Sequence, residues 1–201
     1  MIAREIAAVV EQHGLRHVRL WALPAAWHFT PDRIADGVRA EIARARSFGA
    51  SSVHVGYADC GTGGALDRVC AELGVERLPG PHCFAFYQGA DTPTPPTDDR
   101  AFYVTDFLAR QPDTFLWRPL GLDRNPELRD VYFAHYDRVV YLAQAEDEGL
   151  LRSARAIAEH LDLQFEHRRT GYGDLERILP RWNGSSVANA SGTVPLARQS
   201  R

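Results

Sequence analysis

The sequence lacks any apolar run that approaches the roughly 18 to 20 residues needed to span a bilayer. Its first residues are not the unbroken apolar segment of a signal peptide, because Arg4, Glu5 and Glu11 interrupt them. We therefore expect a cytoplasmic protein that does not bind membranes. A basic bias is also missing, since the formal net charge is -3, which argues against nucleic acid as the main partner.

Cysteine is scarce. The three cysteines among 201 residues form no CxxC motif, and their odd number leaves at least one thiol unpaired within the chain. In the cytoplasm such thiols stay reduced, so they are available as metal ligands or nucleophiles. The chain does not need disulfides for a core, because its length and its 45% hydrophobic residues are those of an ordinary globular domain.

Strand-like and helix-like segments alternate along most of the chain. This alternation predicts an α/β fold with a mostly parallel, three-layer sheet and helices on both faces, which is Rossmann-like. We expect a single domain over residues 1–180 and a disordered tail over 181–201, where Gly, Ser and Ala predominate. Strands are predicted at 17–23, from 52 onward, and at 75–78, 138–143 and 163–169. Helices are predicted at 1–14, 30–49, 65–73, 84–89, 103–110, 126–136, 149–161 and after 173, with a surface loop at 90–100; residues 114–117 fit a strand or a helix end.

Three metal-type side chains follow predicted strands at equivalent positions. His28, Cys60 and Cys83 each come just after a strand and just before a segment that returns across the sheet. The carboxyl ends of parallel strands share one edge, so these side chains can converge there. One imidazole and two thiolates suit zinc and leave a fourth position open, although other thiophilic divalent metals fit the same donors.

Several alternatives stay open at this edge. Cys60 and Cys83 can instead be small apolar core residues, and His28 a hydrogen-bonded loop residue. His82 can replace Cys83 as a ligand, or serve with Asp59 to move a proton. A cysteine nucleophile with His28 or His82 as its base is the main enzyme hypothesis without a metal, although it leaves one cysteine unused.

A glycine-rich turn follows Cys60 and leads into the helix predicted from Ala65. The backbone N–H groups of its residues can cradle an anion, and Tyr57 lies near enough to line a ligand pocket. The predicted cofactor-binding residues are Gly61, Thr62, Gly63, Gly64 and Tyr57. The string matches neither GxGxxG nor GxxxxGK[ST], which makes a nucleotide a poor candidate, and the glycines can equally serve only to turn the chain. The start of the following helix is expected to lower the pKa of Cys60.

These stretches resemble the family known as domain of unknown function 1638. The resemblance is carried by Trp27–Pro31, Gly56–Gly61 and Pro81–Cys83, and further by Phe102–Leu108, Gly121–Asp130 and Thr170–Gly173. It covers roughly residues 15–180, and His28, Cys60 and Cys83 match the family's recurrent histidine and cysteines. Ala58 and Asp59 depart from it, because many members have glycine nearer the cysteine.

The resemblance implies a setting in corrinoid-linked one-carbon or methylamine metabolism, because family members often occur beside corrinoid methyltransferases. Our leading hypothesis is a zinc-type protein with a His28, Cys60 and Cys83 site that takes a small-molecule ligand. A corrinoid is a second candidate cofactor, and a corrinoid protein or its methyltransferase a candidate partner. The alternative is a non-catalytic accessory protein that binds a corrinoid or that methyltransferase.

Overall fold

The computed structural model of the chain describes residues 2–88 and 99–183. Its helices are α1 (Ala3–Gln12), a 3-10 helix (Ala25–Phe29), α2 (Asp32–Ser47), α3 (Ala65–Leu73), α4 (Phe84–Gln88), α5 (Asp106–Arg110), a π-helical turn (Asp113–Trp117), α6 (Arg118–Leu120), α7 (Leu128–Tyr132), α8 (Glu148–Leu161), α9 (Asp174–Ile178) and a 3-10 helix (Leu179–Asn183). Its strands are β1 (His54–Val55), β2 (Glu76–Arg77), β3 (Ala101–Thr105), β4 (Arg138–Ala143) and β5 (Gln164–Arg169). The predicted loop and tail lie largely outside the described residues.

The larger sheet has three parallel strands in the order β3-β4-β5. Side chains of the central strand β4 point alternately to two apolar clusters. Val139 and Tyr141 pack with α5 and α8, whereas Val140 and Leu142 pack with α1, α4 and α9. Helices thus cover both faces, which explains why β4 is an unbroken apolar run. The α/β class and the parallel strands predicted from the sequence are confirmed.

The smaller sheet pairs β1 with β2, also in parallel, with His54 opposite Glu76 and Val55 opposite Arg77. The apolar faces of α2 and α3 cover this pair in a third cluster that includes Val55. The parallel strands are therefore divided between a pair and a triple. Among the described helices none is long and apolar enough to cross a membrane.

Two local predictions are wrong. Residues 17–23 form no strand in the described chain, because the segment buries no apolar face and Leu20 is 41% exposed. The helix predicted at 103–110 begins only at Asp106, since Ala101–Thr105 is strand β3. Aromatic and β-branched residues favour a strand, and pairing with β4 decides the matter. Residues 114–117, whose sequence fits a strand or a helix end, lie in the π-helical turn.

Candidate functional site

The chain beyond β1 runs alongside the chain beyond β2, and this brings two predicted site residues together. Leu78 donates its N–H to Val55 O at 3.0 Å, and Cys60 donates its N–H to Pro81 O at 3.0 Å. Cys83 follows two residues later, and Cys60 packs against the apolar cluster in which Cys83 is buried. We refer to Cys60 and Cys83 as the thiol pair. The expectation that these two strand ends meet agrees with this geometry.

Cys60 has a strained backbone. Its φ of 50° lies in the left-handed region, where a non-glycine residue costs on the order of 1–2 kcal/mol. Gly61, Gly63 and Gly64 continue with φ values of 82°, 58° and 78°, which glycine adopts without that cost. The strain is thus confined to the one residue of this turn that carries a thiol. Backbone strain of this kind concentrates at functional positions.

The N–H groups of the glycine-rich turn bind the chain's own carboxylate. Asp59 accepts hydrogen bonds from Thr62 Oγ1 at 2.7 Å, Gly64 N at 3.0 Å and Gly63 N at 3.3 Å. The Thr62 bond is the largest cause of the lowered pKa of Asp59, and the Gly64 bond comes next. Asp59 therefore fixes the turn as an anion. An external anion at Gly63 and Gly64 would have to compete with it.

Burial keeps both thiols protonated. Cys83 is only 6% exposed, and burial followed by the field of Cys60 raises its pKa to about 12. Burial also raises the pKa of the half-buried Cys60. The expected lowering by the start of α3 is wrong, because the turn separates the thiol from that helix and directs two of its N–H groups to Asp59. The thiol pair thus becomes anionic only with a cation or a base nearby.

His28 lies on the 3-10 helix rather than behind a strand. Its Nδ1 is 3.1 Å from Ala25 O, and its ring stacks on Tyr57 with centroids 5.7 Å apart. Burial lowers the pKa of His28, which favours the neutral imidazole that metals bind. Burial raises the pKa of Tyr57 to about 12, with the field of Cys60 as the next cause. Tyr57 thus stacks on His28 and also experiences the field of Cys60.

His82 lies between Pro81, whose carbonyl accepts the N–H of Cys60, and Cys83. Its half-buried ring packs on Phe84 with centroids 4.3 Å apart, and burial lowers its pKa. A neutral imidazole here can accept a proton. The prediction that His82 moves protons stays a prediction.

His28, Cys60 and Cys83 are of the residue types that bind thiophilic metals, but they are not grouped closely enough to hold one. Across residues 2–88 and 99–183, no three His, Cys, Asp or Glu side chains are grouped so that they could hold a metal ion. Two thiols and an imidazole provide zinc-type donors. A metal would have to draw His28 toward the thiol pair.

Two buried acidic residues were not predicted from the sequence. Asp106, 1% exposed at the end of β3, accepts hydrogen bonds from Tyr141 Oη at 2.7 Å, Ala145 N at 2.9 Å and Gln144 N at 3.1 Å. The predicted helix at 103–110 concealed its position at a strand end. Glu5, 4% exposed, lies on the apolar face of α1. A charged residue at that helical position was the available signal.

A cavity of about 530 Å³ opens at the amino ends of β1 and β2, away from the thiol pair. His54, Glu76 and Trp182 contribute to its lining, which includes none of the predicted site residues. The strand ends that carry the thiol pair lie at the opposite, carboxyl end of these strands. This cavity therefore does not serve the predicted site.

The chain matches the model of a known protein family. The family described as protein of unknown function (DUF1638) matches residues 22–179, a range that includes His28, the thiol pair and both sheets. No curated protein and no solved structure matches the chain significantly.

Proposed function

The chain belongs to the family described as protein of unknown function (DUF1638), and from this premise and its thiol pair we propose a metal-binding function. Cys60 and Cys83 bind a thiophilic divalent metal, zinc foremost, and His28 is the third ligand. The carrying observation is the backbone bond from Cys60 N to Pro81 O, because it joins the segments beyond the two strands at a point two residues before Cys83.

The environment of the thiol pair supports a metal. A buried thiol and a half-buried one, both with raised pKa values, stay protonated at neutral pH, which makes them poor nucleophiles on their own. A bound cation reverses this preference, because coordination to a metal deprotonates a thiol outright. The same burial that suppresses free thiolates also protects a metal–thiolate centre from water.

The hydrogen bond of His28 supports its role as a ligand. Histidines that bind metals generally donate their other ring N–H to a carbonyl or carboxylate, which fixes the tautomer. The contact of His28 Nδ1 with Ala25 O is of this kind, and it leaves Nε2 for the metal. His28 needs to move relative to Tyr57, with which it stacks.

The setting that we propose is cytoplasmic, corrinoid-linked one-carbon or methylamine metabolism, which the family resemblance implies. A bound metal would lower the pKa of a thiol or water molecule that binds to it, which then releases a proton. His82 is our candidate for accepting that proton. Asp59 is the other candidate, although its bonds to Thr62, Gly63 and Gly64 engage it in the turn.

Elemental analysis of freshly purified protein tests the metal. We expect close to one equivalent of zinc per chain in the wild type, and less than about a tenth in Cys60→Ser and Cys83→Ser, because thiolate ligands dominate such sites. Cys70→Ser is the matched control, since Cys70 is buried on α3 in a different apolar cluster. A metal-free wild type, or equal metal in all variants, would refute the proposal.

The corrinoid setting needs a separate test. The metal-loaded protein is mixed with hydroxocobalamin, and comigration in gel filtration is followed by the absorbance of the cobalamin. We expect cobalamin to comigrate with the wild type, and less cobalamin to comigrate with Cys60→Ser. Cobalamin that elutes entirely apart from the wild type would contradict corrinoid binding and leave the metal proposal to its own test.

The strained backbone of Cys60 favours one second candidate, a cysteine nucleophile. In metal-free protein this function requires Cys60 to react with iodoacetamide faster than Cys70 does, as mass spectrometry of the alkylated peptides would show. Equal, slow alkylation of both cysteines at pH 7.5 would exclude it.

A further inference from the structure

The cavity at the amino ends of β1 and β2 is large enough to hold a ligand of its own. Its volume is about 530 Å³, and its walls come from the chain after α2, the chain after α3 and the last 3-10 helix, Leu179–Asn183. Sites for small molecules commonly enclose about 300–1,000 Å³, so this volume is sufficient for one. The proposed metal function makes no use of this cavity.

Two arginines line the cavity from different elements. Arg46 lies in the last turn of α2, and Arg181 lies in the last 3-10 helix. Neither side chain forms an ion pair with a carboxylate among the described residues, whereas Arg39 of α2 pairs with Glu72 at 2.6 Å. A guanidinium group without a carboxylate partner is available to an anionic ligand, and its planar fork of donors matches phosphate and carboxylate oxygens.

Contacts with neighbouring elements position both arginines. Arg46 donates its Nη2 to Leu73 O, at the end of α3, at 2.6 Å, which leaves its other N–H groups for a ligand. Trp182 follows Arg181 directly and stacks on His54 of β1, with ring centroids 4.6 Å apart and ring planes within 7° of parallel. This stack fixes the backbone beside Arg181 against the start of β1.

The chain between α2 and β1 adds uncharged donors. Ser51 and Ser52 line the cavity, and both residues are exposed. The backbone N–H groups of Ser51, Ser52 and Val53 donate to no backbone carbonyl among the described residues, whereas the N–H of Ala50 bonds to Ala45 O at 3.1 Å. Hydroxyl and N–H donors beside two guanidinium groups suit a ligand whose oxygens point in several directions. Tetrahedral phosphate has this form, and a planar carboxylate has not.

The charged side chains of the cavity are positive in sum, although the whole chain is acidic. Arg46 and Arg181 contribute two positive charges, and Glu76 contributes one negative charge. Burial lowers the pKa of His54 against the opposing field of Glu76, so this ring is uncharged at neutral pH. The formal net charge of the chain is -3. The cavity thus differs in sign from the chain as a whole, which favours an anionic ligand.

We infer that this cavity binds the phosphate group of a small organic molecule, with Arg46, Arg181 and the Ser51–Ser52 segment as its donors. The carrying observation is the juxtaposition, around one cavity, of two arginines without carboxylate partners and a run of N–H and hydroxyl donors. A phosphate group fills only part of the volume, which leaves room for the organic part of the ligand. The inference is independent of the metal, since none of the proposed metal ligands lines this cavity.

Isothermal titration calorimetry of the full chain tests the inference with inorganic phosphate, methyl phosphate and acetate at constant ionic strength. We expect a Kd of about 1 mM or less for both phosphates, and at least about tenfold weaker binding of acetate, which has fewer acceptor oxygens and less charge.

Variants of the lining residues should change phosphate affinity in opposite directions. Arg46→Gln and Arg181→Gln should each weaken phosphate binding about tenfold, because each removes charge-assisted hydrogen bonds. Glu76→Gln should strengthen it about two- to fivefold, because it removes a like charge, and a merely structural defect would not tighten binding. Arg44→Gln is the matched control, since Arg44 is exposed on α2 but does not line the cavity.

Three results would overturn the inference. A wild type that binds no phosphate up to about 10 mM, ten times the expected Kd, would exclude the site. Acetate bound as tightly as phosphate would exclude its preference for phosphate. Equal phosphate affinity in the wild type, Arg46→Gln and Arg181→Gln would show that phosphate binds elsewhere. If Arg46→Gln does not fold because it loses the bond to Leu73 O, Arg181→Gln and Glu76→Gln decide the question. Metal content is measured separately, so a failure here leaves the proposed function standing.

Discussion

At the scale of single residues, the site combines backbone strain with buried charge. Cys60 has a left-handed backbone, and Asp106 and Glu5 are acidic side chains within the core. Each of these features lowers stability unless an interaction compensates it. Asp106 has three hydrogen bonds that compensate for its burial. The strained residue, Cys60, is one of the three that we assign to the metal.

The strain at Cys60 predicts an unusual order of stability. Cys60→Ala keeps the Cβ atom and therefore keeps the left-handed strain, whereas Cys60→Gly removes it. We expect Cys60→Gly to be more stable than Cys60→Ala by about 1 kcal/mol in urea unfolding, despite the greater freedom of glycine in the unfolded chain. Cys70→Gly and Cys70→Ala provide the control, because Cys70 is in a helix and should give the opposite order. The same order at both positions would contradict the strain at Cys60.

The bonds of Asp106 predict a large loss on its removal. Asp106→Ala leaves Tyr141 Oη and two backbone N–H groups without their acceptor. We expect the free energy of unfolding to fall by roughly 3 kcal/mol or more, because bonds to charged groups are strong and unpaired buried donors are costly. Tyr141→Phe, which removes one of the three bonds, should cost less than half as much. A loss below about 1 kcal/mol for Asp106→Ala would show that these bonds contribute little.

At the scale of elements, the sequence predicts correctly the strands and helices whose residue pattern agrees with their surroundings in the fold. β4 and α8 have the predicted bounds to within one residue, because an apolar run and an amphipathic helix with an Asp147 N-cap each permit one interpretation. Residues 17–23 alternate like a strand but pair with no strand in the described part of the chain. β3 was hidden because a helix begins directly at its end, so the two periods merge.

The same division applies to the site. That Cys60 and Cys83 follow parallel strands could be deduced from chain order alone. The position of His28 could not, since it depended on a strand that does not form. The role of Asp59 as the anchor of the turn depends on left-handed φ values that the glycines permit but do not specify. The burial of Glu5 depends on how α1 packs, which is a tertiary contact.

The junction between α4 and α9 gives a prediction at this scale. Gly173 has a φ of 51° just before α9, and an added Cβ would lie 2.2 Å from Phe86 O. Gly14 has a φ of 60°, but an added Cβ would meet nothing within 4 Å. We expect Gly14→Ala to cost about 1 kcal/mol from strain alone, and Gly173→Ala to cost at least about 2 kcal/mol more from the clash. Equal losses in thermal or urea unfolding would mean that α4 and α9 separate easily.

At the scale of the whole molecule, the proposed ligands connect distant parts of the chain. The thiol pair belongs to the two segments beyond β1 and β2, and His28 to the 3-10 helix before α2. α1 and Cys83 also belong to the apolar cluster that covers one face of the larger sheet. A metal bound by these residues would therefore connect the smaller sheet, through Cys83, to the apolar cluster that covers the larger one.

This connection predicts that zinc stabilises the whole fold. A ligand that binds only the native state, at 100 times its Kd, adds about 2.7 kcal/mol to the free energy of unfolding. We expect zinc to raise the urea midpoint of the wild type accordingly, and to leave the double variant Cys60→Ser, Cys83→Ser unchanged. Cys70→Ser should respond like the wild type, because Cys70 packs between α2 and α3 and not with the thiol pair. An equal shift in the double variant would show that the metal binds elsewhere. No shift in the wild type would mean that no zinc binds and that the thiol pair stays protonated.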